Sequence, residues 1–361
     1  MSLITKQFLL ELFLVTLIVA KAASKLPKQE CPTKCGSLSI PYPFGTSEGC
    51  YLDESFFINC TYNSSTTLTS PTPFLRHGDL TVLNISLNGE LVISFPVVHE
   101  CYSSNGSSLS AHREKHRHLN LTYFYISTKN KFIALGCDTF AEFWGHVPHK
   151  VNYTSTTACA SICSSVDDIK GNGSCSGNGC CESIIPNGLS SFTIETWSRD
   201  NHTKVHAFNP CSYALVVEES SYKFSTADLK NFTKQRVPIL IDWSVGNKTC
   251  VEAKRNATAY ACKANNSECY NSTNGLGYLC KCHSGFLGNP YLHHGCKDVN
   301  QCNVESNPCS IICGNFKENA ILIIIAFAWH SCLHNPNSHL VFAAISNSAN
   351  APTTTKSKKK D

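Results

Sequence analysis

Apolar and polar positions alternate on both sides of Asn88-Gly89. Leu83, Ile85 and Leu87 alternate with Asn84 and Ser86, and beyond the pair Leu91, Ile93 and Phe95 alternate with Val92 and Ser94. A period of two marks a strand with one face turned inward, and Asn-Gly accepts the positive φ of a type I′ turn. The pattern predicts a β-hairpin with Asn84 on the face opposite Leu83 and Ile85. Shorter apolar runs predict strands near residues 123–127, 131–135, 212–217 and 238–243. The polar stretch 103–120 reads as a separator between the hairpin and the next strands. The expected fold class is mainly β, disulfide-rich and extracellular, with several domains of short strands.

Cysteine usage sets the compartment. The 361 residues include 22 cysteines, too many for an ordinary reduced cytosolic chain. Zinc sites announce themselves as repeated short Cys pairs or a following His-x3–5-His, and the short pairs Cys31/Cys35 and Cys159/Cys163 lack that repeat. Disulfides are the expected state. The first residues agree: Lys6 precedes an apolar run over residues 8–19, and Ala20-Lys21-Ala22 supplies the small residues of a cleavage site. That order predicts a signal peptide over residues 1–22. Glycosylation sequons stand at Asn59, Asn63, Asn84, Asn105, Asn120, Asn152, Asn172, Asn201, Asn231, Asn247, Asn256, Asn265 and Asn271. Each used sequon needs a surface asparagine in a secreted chain.

The glycine-rich loop over residues 171–181 lacks the Gly-Lys-Ser/Thr of a phosphate loop, and its adjacent Cys180 and Cys181 make it a stapled turn. Cys250, Cys262, Cys269, Cys280, Cys282 and Cys296 follow at x11, x6, x10, x1 and x13. Six cysteines allow about 15 connectivities from sequence alone. Their spacing resembles an epidermal-growth-factor-like (EGF-like) module, and that resemblance implies Cys250–Cys269, Cys262–Cys280 and Cys282–Cys296. The twelve cysteines before Cys250 are an even number, so the two parts can close separately.

A wider resemblance opens at Cys31-Pro32-Thr33-Lys34-Cys35-Gly36 and Ile40-Pro41-Tyr42-Pro43-Phe44-Gly45, followed by Cys50 and Phe57-Ile58-Asn59-Cys60. It continues through Gly136-Cys137, Gly177-Asn178-Gly179-Cys180-Cys181, residues 240–247, Gly288-Asn289-Pro290-Tyr291 and Asp298-Val299-Asn300-Gln301-Cys302. These motifs, in this order, resemble the ectodomain of plant wall-associated receptor kinases. The resemblance implies a galacturonan-binding-like cysteine-rich β domain over residues 30–137 and an associated cysteine-rich domain over 138–249. The EGF-like module at 250–296 follows, then an incomplete second, calcium-binding-type module at 297–317. For that second module it implies calcium ligands at Asp298, Val299, Gln301 and Asn315, oxygen donors suited to a hard cation. The pattern then stops, because the module's last three cysteines are absent. Residues 318–361 are foreign to the family, and the expectation is a truncated or mis-spliced product whose tail is translated intron.

The implied function is binding of pectin, a galacturonan polyanion, at the cell wall or the outer face of the plasma membrane. A polyanion calls for cations and hydrogen-bond donors. The net charge of +4 favours it mildly, and the densest basic segment, residues 112–118, offers Arg113, Lys115 and Arg117 as candidate contacts. A solvated loop is the plainer reading of that segment, and packing is the plainer reading of Tyr42-Pro43-Phe44-Gly45. The alternatives are a protein partner at the EGF-like module or a non-functional receptor fragment. No nucleic-acid partner and no cofactor other than calcium are expected. Nor is catalysis: no Gly-x-Ser-x-Gly elbow occurs, no opposed carboxylates stand out, and no kinase Gly-rich loop, His-Arg-Asp or Asp-Phe-Gly appears.

Overall fold

The computed structural model describes residues 31–299 apart from 63–69, 115, 122–123, 148–153, 170–172, 174 and 233, and the side chains of 110–114 are also left aside. The leader, the second EGF-like motif and the tail lie outside the described residues, as do Asn63, Asn152 and Asn172.

Two small ribbons open the chain. Strand β1 (Lys34–Cys35) pairs with β2 (Leu38–Ser39), and β3 (Ile58–Thr61) pairs with β4 (Thr72–Leu75). The body follows as β5 (Val82–Ser86), β6 (Glu90–Pro96), β7 (Val98–Tyr102), β8 (Ser108–Glu114), β9 (His116–Asn120), β10 (Tyr125–Ile126) and β11 (Asn130–Leu135). It continues with β12 (Thr139–His146), β13 (Thr154–Ser161), β14 (Cys180–Ile184), β15 (Ser191–Trp197), β16 (Cys211–Glu218) and β17 (Arg236–Asp242). These form three antiparallel sheets in the orders β10-β17-β6-β5, β14-β11-β16-β7-β8 and β13-β12-β15-β9.

Burial explains the run lengths. The middle sheet is covered on both sides: Phe132, Ala134, Ala214 and Val216 face the main core, while Ile133, Leu135, Leu215 and Val217 face a second cluster with Phe224, Leu229 and Phe232. A strand buried on both faces reads as a continuous apolar run, and β16 is that case. In the third sheet only one face is inside, so Ala141, Phe143, Phe192 and Ile194 are buried while their neighbours are not.

The hairpin over β5 and β6 forms, with two corrections. Ser86 pairs with Glu90, and the Gly89 amide donates to the Ser86 carbonyl, so the connection is a three-residue loop. Only Gly89 takes positive φ there, at 91°, and no type I′ turn forms. A bulge between Val82 and Asn84 also shifts the register. Val82 and Ile85 are therefore the inward pair, and Leu83 is exposed beside Asn84. The polar stretch 103–120 is likewise no mere separator, because most of it is β8 and β9.

The motif-based parts interleave. Strand β6 pairs with β17 and β7 with β16, so residues on both sides of position 137 share sheets. Cys101–Cys211 bridges the same pair of strands. The other body bridges are Cys31–Cys50, Cys35–Cys60, Cys137–Cys163, Cys159–Cys181 and Cys175–Cys180.

After a short helix (Cys250–Lys254), capped reciprocally by Thr249 and Glu252, come β18 (Ser267–Asn271) with β19 (Tyr278–Cys282) and β20 (Phe286–Gly288) with β21 (Cys296–Asp298). Here Cys250 is bonded to Cys269, Cys262 to Cys280 and Cys282 to Cys296. This small unit cannot bury an adequate core by itself. It joins the main core instead through Ala261, Tyr278, Leu279 and Tyr291. No helix among the described residues is long and apolar enough to cross a membrane.

Candidate functional site

The N-terminal ribbons present an aromatic ladder. Asp53 caps a single 3-10 turn (Glu54–Phe56) by accepting from the Ser55 amide at 2.9 Å, which buries Phe56 and turns Phe57 outward. Tyr51 packs on Phe57 with ring centroids 5.5 Å apart, and Phe57 packs on His77 at 5.2 Å. Tyr51 donates to Glu54 at 2.7 Å, and that bond is the first cause raising its phenol above the ordinary value. Tyr51 and Phe57 are half-buried, and His77 is exposed.

Cations gather at the His77 end. Arg76 takes a left-handed φ of 55° just beyond β4, and its amide donates to the Phe57 carbonyl at 2.9 Å. Three residues on, Asp79 accepts from Arg117 Nη2 at 2.7 Å. Arg117 lies on β9, so the body's third sheet supplies a guanidinium to a surface built by the first ribbons. Ladder and cations together offer flat apolar rings for sugar faces and donors for carboxylates. Arg–carboxylate hydrogen bonds are among the stronger polar contacts.

The other expected residues fall elsewhere. Arg113 is on β8, opposite Glu100, with its side chain outside the described set, and Lys115 is outside it altogether. His116 and His118 are exposed on β9, and His118 Nδ1 lies 3.0 Å from Thr193 Oγ1. The basic segment is thus strand rather than solvated loop, and it splits between faces. Phe44 is buried, edge-on to Phe56 and Trp243, so the Tyr42-Pro43-Phe44-Gly45 motif is packing. Gly45 is fixed by close approach, since a Cβ there would meet the Cys50 carbonyl oxygen at 2.3 Å. Burial, then Asp53, pushes the Tyr42 phenol up to about 12.

Asp298 closes β21, and the Val299 amide donates to the Gly285 carbonyl at 2.9 Å. Gln301 and Asn315, the other two expected calcium ligands, lie outside the described residues. Among the described residues no cluster of three or more His, Cys, Asp or Glu forms a metal site. Of the described sequons, Asn84, Asn105, Asn120, Asn201, Asn231, Asn247, Asn256, Asn265 and Asn271 are exposed, and Asn59 is half-buried on β3.

Sequence periodicity does not reveal the ladder, because Tyr51, Phe57 and His77 follow no local spacing. The one available signal is Phe57 itself, placed among the motif residues just before Cys60.

Comparison with known proteins converges on the same segment. Residues 31–95 match the family described as wall-associated receptor kinase galacturonan-binding. Wall-associated receptor kinase 2 of Arabidopsis thaliana is 38% identical over 288 residues, 79% of this chain and 36% of that protein. Wall-associated receptor kinase 1 of the same plant is 37% identical over 309 residues, 82% of this chain and 39% of that protein. The chain therefore spans well under half the length of these relatives. No solved structure matches it. By sequence, the chain belongs to the wall-associated receptor kinase family as a fragment of its ectodomain, with residues 31–95 matching the galacturonan-binding family.

Proposed function

We propose that the chain binds pectic polysaccharide outside the cell, through the Tyr51–Phe57–His77 ladder and the adjoining Arg76 and Arg117. The observation carrying this reading is the ladder's position inside residues 31–95, the stretch that matches the galacturonan-binding family. Uronic acid rings stack their C–H faces on the aromatic groups, and their carboxylates take hydrogen bonds from the guanidinium groups. Kinase signalling belongs to the relatives' names and is not assigned to this chain. The setting is the wall space or the outer face of the plasma membrane.

Retention of the chain on de-esterified pectin tests this. Binding should weaken as salt rises, since exposed charge pairs are screened. Phe57→Ala and His77→Ala should each weaken it about tenfold. Salt-independent retention, or none, would remove this reading.

A second reading places a protein partner on the EGF-like module. It draws on Val251 and Leu287, which are 67% and 68% exposed. Replacing both by Ser should then abolish capture of that partner while leaving pectin retention intact.

A further inference from the structure

The third sheet has a solvent face that the ladder does not use. Directly paired residues of antiparallel strands point to the same side. Phe140 on β12 pairs with Trp197 on β15, Glu142 pairs with Glu195, and Trp144 pairs with Thr193. All six lie opposite in pleat to the buried Ala141, Phe143, Phe192 and Ile194. On the flanking strands the same face carries exposed Thr156 and Ala158 of β13 and exposed His116 and His118 of β9. Among the described residues neither edge strand, β13 or β9, pairs with a further strand.

The outward face of a sheet covered on one side ordinarily alternates to polar residues. Here it carries three large aromatic groups that the core does not use. The Phe140 and Trp197 rings lie 6.2 Å apart at an interplanar angle of 15°, stacked on each other across the two strands. Trp144 stands four residues along β12 from Phe140, about 13 Å away at strand rise. Between them the Glu142–Glu195 pair sets two like charges directly opposite each other, an arrangement that costs stability in a sheet.

These features together select a ligand. Flat aromatic groups bury the apolar C–H face of a sugar ring through dispersion and the hydrophobic effect. The two carboxylates accept hydrogen bonds from hydroxyls and repel uronates. The strand residues of this face include no lysine or arginine, since Arg117 lies on the opposite pleat of β9. We infer that this face binds a neutral, flat polysaccharide chain of the equatorially linked glucan class. Its rings stack along Phe140, Trp197 and Trp144, and its hydroxyls donate to Glu142 and Glu195. The sequon at Asn120 pairs with Ser191 beyond Trp144, so a glycan there leaves the Phe140–Trp197 end clear. This inference does not depend on pectin binding at the ladder.

The test uses the whole glycosylated chain, with cellohexaose and hexagalacturonate as probes. The chain should bind cellohexaose with little salt dependence, and Trp144→Ala combined with Trp197→Ala should weaken that binding about tenfold or more. Trp144→Phe with Trp197→Phe should recover most of it, and both variants should melt as the parent does and bind hexagalacturonate unchanged. No cellohexaose binding by the parent overturns the inference, as does equal binding by the alanine variant. A tryptophan pair whose removal abolishes only self-association of the chain overturns it too, because the face is then an interface between copies. Loss of hexagalacturonate binding alone counts against the ladder and leaves this face standing.

Discussion

Tyr291 of the EGF-like module lies fully buried against Trp243 of the body, ring centroids 5.8 Å apart and planes at 47°. Its hydroxyl accepts from the Cys280 amide at 3.0 Å. Module and body therefore share a core, and their stabilities should be inseparable. Tyr291→Ala should cost about 3–5 kcal/mol, the range for large aromatic truncations. Tyr291→Phe keeps the ring but strands a buried amide, at about 1–3 kcal/mol. Guanidinium unfolding followed by tryptophan fluorescence checks both, with one transition in the parent. Two transitions in the parent would show that the shared core does not couple the parts.

Asn274 fastens the same seam with polar bonds. Its Nδ2 donates to the Ile126 carbonyl at 2.8 Å and to Asp242 Oδ2 at 2.6 Å, while its Oδ1 accepts from the Gly188 amide at 2.8 Å. Asn274→Ala should cost about 2–4 kcal/mol, because several buried groups lose partners together. The loss should depend on pH. Burial raises the Asp242 carboxyl, and the bonds from Asn274 and Ser127 oppose that rise. Without the amide, ionised Asp242 is worse solvated, so the variant should lose more at neutral pH than near pH 4, close to the ordinary carboxylate value of about 3.9. Equal losses at both pH values would show that Asn274 does not act on the carboxylate.

His202 gives the opposite slope. It is fully buried at φ 56°, stacked on Tyr102, with Nδ1 2.8 Å from the Asn209 carbonyl and Nε2 2.8 Å from Ser212 Oγ. Burial holds its imidazole below the ordinary value, against the Asn209 bond and the nearby Asp138. The unfolded chain therefore binds the extra proton first as pH drops below about 6.5. Stability is fully present above that pH and is lost as pH falls toward the folded value. His202→Asn, whose side chain tolerates a left-handed backbone, should flatten the stability slope between about pH 7 and 5. An unchanged slope would assign the acid sensitivity to another group.

The residues show why part of this fold is legible in sequence and part is not. The β5–β6 hairpin is visible because its two strands are neighbours in the chain. The bulge at Val82 and the three-residue loop are not; the Gly89 carbonyl in that loop accepts from the amide of Trp243, far along the chain. Ser191–Trp197 alternates Phe192 and Ile194 against Thr193 and Glu195, but Thr196 inside and Trp197 outside break the period, and no strand is expected there from the sequence. Thr139–His146 is ambiguous, because Phe140 and Trp144 on the outer face mimic Phe143 on the inner one. The basic segment is legible as charge, but not as a strand whose Arg117 reaches Asp79, 38 residues away. Bonds such as Asn274 to Ile126, across 148 residues, leave no local trace.

Disulfides rank by the loop each closes. Cys101 and Cys211 are 110 residues apart, while Cys175 and Cys180 are 5 apart. Loop-closure entropy gives about 4–5 kcal/mol for the first, an upper bound because other bridges shorten its loop, and about 2 kcal/mol for the second. Paired Cys→Ala variants should follow that order in thermal unfolding. A larger loss for Cys175/Cys180 would show that native packing, not chain entropy, sets the ranking.

The buried seam at Tyr291, Trp243 and Asn274 also has a mechanical meaning. An EGF-like unit on a free linker would swivel, and a tug on the wall side would dissipate in that joint. Here the joint is filled, so torque applied at the N-terminal ribbons reaches β21 without slack. Time-resolved anisotropy of a label on the module should accordingly report the tumbling of the whole body.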